Sequence, residues 1–128
     1  MKRQRNLILI FCVAAIVVAA GLNRSFGQEE QLDPTKLAPD VQIIKFENAF
    51  VRVSEERMPP GRGIGKHRHY RGLTIAMADY QMEQKLYPSG QVVHSSRHFG
   101  EINWTDTIIH ETKNVGTTNQ YVVRIELK

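Results

Sequence analysis

From Val41 onward, short runs of β-branched and aromatic residues recur at intervals of about eight to twelve positions, and no helical period is sustained. The runs cover residues 41–46, 50–58, 66–78, 80–87, 91–97, 102–105, 107–112 and 121–127. Between them stand Pro59-Pro60-Gly61, Pro88-Ser89-Gly90, Phe99-Gly100 and Asn114-Val115-Gly116, whose residue types favour turns. Eight such segments in this length predict an all-β domain, a small antiparallel jelly-roll β-barrel with alternate side chains of each strand turned inward.

Parity along the runs assigns faces. Tyr121, Val123, Ile125 and Leu127 share one face, against Arg124, Glu126 and Lys128 on the other, which predicts a half-buried strand with its apolar side on the core. His67, His69, Arg71, Leu73, Ile75 and Met77 also share parity, so all six are expected in the interior unless Gly72 breaks the alternation. Residues 50–58 alternate less regularly: Val51 and Val53 fall with Glu55 and Arg57, opposite Phe50 and Met58. Either a bulge switches the faces there, or Glu55 and Arg57 look into the interior.

The segment before this domain has a different character. Lys2, Arg3 and Arg5 precede an unbroken apolar run from Leu7 to Ala20, and Ser25-Phe26-Gly27 supplies small residues for cleavage, so residues 1–27 read as an export signal. The expected location is periplasmic or secreted, without stable membrane association; an uncleaved anchor is the alternative. Cys12, the single cysteine, sits within the apolar run, so the mature chain has no disulfide. Residues 28–40, polar and carrying Pro34 and Pro39, are expected to be a linker or N-terminal arm ahead of a barrel domain at 41–128. The net charge of +4 belongs to the precursor: without Lys2, Arg3, Arg5 and Arg24, the 17 basic and 13 acidic residues become 13 of each. A neutral domain gives no support for nucleic-acid binding.

The candidate chemistry lies in three histidines. Gly61 is followed, after five residues, by His67-Arg68-His69, and two histidines one residue apart on a strand project from the same face. Gly100 precedes His110, and Asn114 follows His110 after three more residues. In these features the chain resembles the cupin superfamily, over about its last four-fifths. The family's first motif is Gly, five residues, His-x-His and a later Glu; its second is Gly, five residues, Pro-x-Gly, then His and, three residues on, Asn. Here Leu73 or Thr74 stands at the Glu position, Asp106-Thr107-Ile108 replaces Pro-x-Gly, and His110 comes one residue earlier than in the commonest form.

The resemblance implies a cupin barrel with one divalent transition metal (Fe, Zn, Cu, Ni or Mn) held by His67, His69 and His110. Neutral imidazole suits all five metals, so the ligand set alone does not choose among them. Within cupins, three-histidine iron sites are typical of thiol dioxygenases, so an oxygenase-type reaction on a small molecule is one expectation. A non-catalytic cupin that binds or senses a small ligand is another, and a metal-free isomerase or epimerase with a cavity histidine as base is a third. Histidines that are merely packed or hydrogen-bonded remain the bland alternative. Arg62, Lys66, Arg68 and Arg71 cluster without local acids, which suggests an anionic ligand, with Arg71 the member that shares histidine parity. Trp104 and Asp106 share parity with His110 and are candidate ligand-binding residues at the mouth; core packing and a turn are their ordinary roles. His94 and His98 are expected at the surface or rim, and Met58, Met77 and Met82 in the core. A homodimer through an edge strand, with residues 41–46 as candidate, completes the expectations.

Overall fold

The computed structural model describes residues 31–128; the expected signal at 1–27 and the first residues of the expected linker lie outside the described residues. A single helical turn, α1 (Pro34–Leu37), is followed by nine strands among the described residues. They are β1 (Gln42–Glu47), β2 (Val51–Met58), β3 (Gly63–His69), β4 (Gly72–Ala76), β5 (Tyr80–Leu86), β6 (Val92–Arg97), β7 (Ile102–Thr105), β8 (Ile108–Asn114) and β9 (Gln120–Leu127). Their antiparallel pairings build a five-stranded sheet, β1-β2-β9-β4-β7, and a four-stranded sheet, β3-β8-β5-β6. The all-β expectation holds, while the backbone pairings leave two sheets and do not join them into one closed ring.

The extra strand arises because the run 66–78 is two strands. The chain leaves the four-stranded sheet after His69 and joins the five-stranded one at Gly72, so parity does not carry across Tyr70 and Arg71. His67 and His69 are buried, but Arg71 and Leu73 are exposed, which corrects the expectation of a shared interior face. Gly72 is required at this crossing: a Cβ there would lie 1.9 Å from the Ile125 carbonyl oxygen, a contact with backbone that no side-chain shift relieves. The same change of sheet occurs between β7 and β8, at Asp106-Thr107, where the family's Pro-x-Gly would stand.

Two further face assignments are reversed. In β9 the interior face is the polar one, with Gln120 and Glu126 buried beside Val122, while Tyr121, Val123, Ile125 and Leu127 are only half-buried on the outside. In β2 the pairing with β9 is continuous, so no bulge switches the faces. Ser54, Glu56 and Met58 are buried there, and the Glu55–Arg57 pair stays on the outer side. The outer face of the five-stranded sheet consequently carries an apolar row across all five strands: Phe46, Val53, Ile125, Leu73 and Trp104 are successive partners in register. Phe46 and Trp104 are more than half exposed.

The apolar core is displaced to one end of the interior, where Met58, Ile64 and Met82 pack with Ala38 and Val41 and with the half-buried Tyr80. Residues 32–40 thus pack against the strands. Asp33 caps α1 through Thr35 N at 2.9 Å and pairs with Arg52 at 2.9 Å, and the Leu32 carbonyl accepts from Arg68 N at 2.8 Å. Gly61, at φ +78°, makes the turn that brings its N–H to the Asn114 carbonyl, 2.9 Å away.

Candidate metal centre

β3 carries His67 and His69 on one face, and the antiparallel register sets His67 directly opposite His110 of β8. A register shift between Ile64 and His67 aligns the pair. All three rings are buried, with centroids 4.9 Å (His67–His69), 4.5 Å (His67–His110) and 5.4 Å (His69–His110) apart. One ring nitrogen from each lies within 4.8 Å of the others.

Each ring is oriented through Nδ1. His67 Nδ1 donates to the Gly65 carbonyl at 2.7 Å, an acceptor that settles the tautomer. His69 Nδ1 bonds Glu126 Oε1 at 2.8 Å, and His110 Nδ1 bonds Gln84 Oε1 at 3.0 Å. The Nε2 lone pairs are therefore the free ones, and those of His67 and His110 have no hydrogen-bond partner among the described residues. Burial lowers the pKa of His67, takes that of His69 well below its ordinary value and brings that of His110 to about 3; the positive charge of Arg124 pushes all three the same way. The rings are thus neutral at physiological pH, the state a metal ligand requires. Burial also pushes the Glu126 carboxyl above the usual carboxylate value, against the pull of Arg124 and the Tyr70 amide.

The other candidates land elsewhere. Arg71 is exposed at the β3–β4 crossing, and Trp104 lies on the outer face with its indole N–H bonded to the exposed Asp106 at 3.2 Å. None of these three lines the interior cavity, because each was placed by parity carried through a change of sheet. Arg62 and Lys66 of the basic cluster are likewise exposed, with Arg62 paired to Asp40 at 3.1 Å and Lys66 over the Tyr87 ring, while Arg68 is half-buried. His94 and His98 are exposed and pair with Glu83 and Asp79. Asn114, the last motif residue, is a structural pin: its buried Nδ2 donates to the Met58 and Thr118 carbonyls and its Oδ1 accepts from Gly116 N. Sequence reasoning missed Gln84, Glu126, Glu56 and Arg124. The available signal was the polar parity of β9, which marks an interior when the interior is itself polar.

The donor set fits a divalent transition metal. Three neutral imidazoles on facing strands, two with dry and unpartnered Nε2 atoms, can hold one ion, and their Nδ1 partners match the acceptors that usually orient metal-bound histidine. Of the two candidates for the missing family Glu, Leu73 points to solvent and Thr74 lines the cavity, so neither supplies a carboxylate.

No family model matches the sequence, and no curated protein matches it significantly. Solved structures do match. A cupin domain from Bordetella pertussis Tohama I superposes with a TM-score of 0.63 at 28% identity, covering 69% of this chain and 92% of that one. A cupin superfamily protein from Desulfitobacterium hafniense DCB-2 gives 0.51 at 10% identity, over 68% of this chain and 75% of that one. A conserved protein with a double-stranded β-helix domain from Klebsiella pneumoniae gives 0.51 at 18% identity, over 67% and 75%. The last two speak to the fold alone, whereas the first is similar in fold and in sequence, and this chain itself carries Gly61, His67, His69, Gly100, His110 and Asn114 in the motif places. On these grounds the chain belongs to the cupin superfamily.

Proposed function

We propose that this chain is a single-domain cupin that holds one divalent transition metal through His67, His69 and His110 and admits a small molecule to the interior beside it. The observation that carries the reading is the pair of buried, unpartnered Nε2 atoms on His67 and His110, in a cluster whose Nδ1 atoms are all engaged. A buried polar atom without a partner costs roughly 1–3 kcal/mol, and coordination would remove that cost. When bound to three neutral ligands, such an ion keeps its full charge and open positions, so it supplies Lewis acidity and, if redox-active, oxygenase-type chemistry. The protein's part is to fix the rings through Gly65, Gln84 and Glu126, to keep them unprotonated, and to enclose the ligand. A non-catalytic binding or sensing role is the second reading. It is favoured by a cavity whose lining includes Gln84 and Thr112 but none of the three imidazoles, so that ligand and metal need not touch. The proposal also includes export, supported by the basic residues and apolar run at 2–20.

The test is metal loading followed by an assay. Protein purified without a metal-affinity tag, loaded with ferrous iron or zinc and desalted, should keep about one ion per chain. His67→Ala and His110→Ala should lose it while retaining the strand signal in circular dichroism; retention by both variants would contradict the site. Iron-loaded protein that consumes oxygen only with a small carboxylate or thiol supports the oxygenase, and binding without turnover supports the receptor.

A further inference from the structure

Beside the histidine cluster, the interior holds a second set of polar groups that the metal site does not use. Arg124 projects inward from the middle of β9, and its side chain is 12% exposed. Its Nη2 stands 3.6 Å from Glu56 Oε2, too long for a hydrogen bond, and its Nε is buried without a partner among the described residues. Glu56 is buried and takes Gln120 Nε2 on Oε1 at 2.8 Å, while its Oε2 accepts no hydrogen bond. Thr112 Oγ1 and Gln120 Oε1 are buried and unbonded as well.

These four residues line one cavity of about 80 Å³, together with Arg97 and Gln84. Of the charged side chains in the lining, Arg97 is paired with Glu101 at 3.3 Å, which leaves Arg124 and Glu56 facing one another without a hydrogen bond between them. A buried guanidinium with idle donors calls for an acceptor, and its planar fork matches a carboxylate. Against the roughly 30 Å³ that one water occupies in the liquid, the cavity has the volume of about two to three waters, which limits its occupant to a very small molecule. Gln84 also bonds His110, and Thr112 follows it by two residues on β8, so the cavity adjoins the His110 side of the cluster.

We infer that this cavity is a subsite for a small carboxylate of about two carbons, anchored by its carboxylate on Arg124 on the His110 side of the cluster. The inference deepens the proposed small-molecule site by naming its ligand class, and it moves the anion contact from exposed Arg71 to buried Arg124. Glu56 acts as the placeholder: it holds the guanidinium loosely until the ligand displaces that contact.

The test is calorimetric titration with glycolate and with its neutral isostere glycolamide, on metal-free protein kept in chelator and on metal-loaded protein. Metal-free protein should bind glycolate at least tenfold more tightly than glycolamide. Arg124→Gln should remove that preference, and Arg71→Ala should alter neither affinity by more than twofold. Glu56→Gln, which frees the guanidinium without removing it, should tighten glycolate binding, and so tests the anchor even where Arg124→Gln does not fold. Equal affinity for the two ligands, no binding of glycolate, or unchanged or weaker glycolate binding in Glu56→Gln would overturn the inference. Loss of glycolate preference in protein that still holds its metal sinks the subsite alone. Glycolate preference in protein that cannot hold metal sinks the metal reading alone.

Discussion

At the scale of single residues, the site depends on groups that touch the imidazoles from behind. Glu126 Oε1 receives both His69 Nδ1 and the Tyr70 amide, so it fixes a ring and the chain just before the crossing to β4. Glu126→Ala should therefore leave the fold in place and weaken metal binding by roughly 10–100-fold, read by competition with a chelator of known affinity. An unchanged affinity would mean that packing alone orients His69. The three histidines themselves were legible in the sequence, because His67 and His69 at a spacing of two on a strand must share a face and His110 stands at the second motif's place. Glu126, Arg124 and Glu56 were not. Polar residues alternating with Val123, Ile125 and Leu127 read as a solvent face, and only an interior built around polar chemistry inverts that rule.

At the scale of elements, the changes of sheet decide what parity can say. Alternation sets His67 and His69 on one inward face within β3, but in β9 it groups the faces and picks the wrong one as interior, and it loses its phase between β3 and β4 and between β7 and β8, which is why Arg71, Leu73, Trp104 and Asp106 fall outside. Gly72→Ala should cost about 3 kcal/mol or more in chemical denaturation, since its new methyl group meets the Ile125 backbone. A loss below about 1 kcal/mol would show that β4 and β9 can separate there. The arm at 32–40 was legible as polar and proline-bearing, while its packing was not, because one buried Ala38 and one capping Asp33 make no periodic signal. Asp33→Ala, which removes the cap and the Arg52 pair, should cost about 1–2 kcal/mol at neutral pH. Burial pushes the Asp33 carboxyl up, but the hydrogen bonds from Thr35 and Arg52 outweigh it and hold the pKa below 3.8. The stabilisation is therefore present above that value and is lost as pH falls through the lower folded pKa, so the gap between wild type and variant should close in acid. A gap that stays constant down to about pH 2 would assign the cost to packing instead.

At the scale of the molecule, the fold class was legible from eight turn-bounded runs, and the architecture that places the site required the pairing of β3 with β8 and of β9 with β2 and β4. Because the interior is polar, apolar side chains of β1, β4, β7 and β9 are turned outward, and a row running from Phe46 to Trp104 leaves Phe46, Leu73 and Trp104 exposed on one face. The expected homodimer then has a face as well as the β1 edge available. Sedimentation should find a dimer that Leu73→Lys converts to monomer, and a monomeric wild type would remove this face from consideration. The metal centre is open to absorption spectroscopy at the metal edge on protein loaded with zinc or ferrous iron. Imidazole nitrogens from three histidines should appear at about 2.0–2.2 Å, with one lost in His110→Ala. Scattering from fewer than three imidazoles in the wild-type protein, or a spectrum that His110→Ala leaves unchanged, would contradict it.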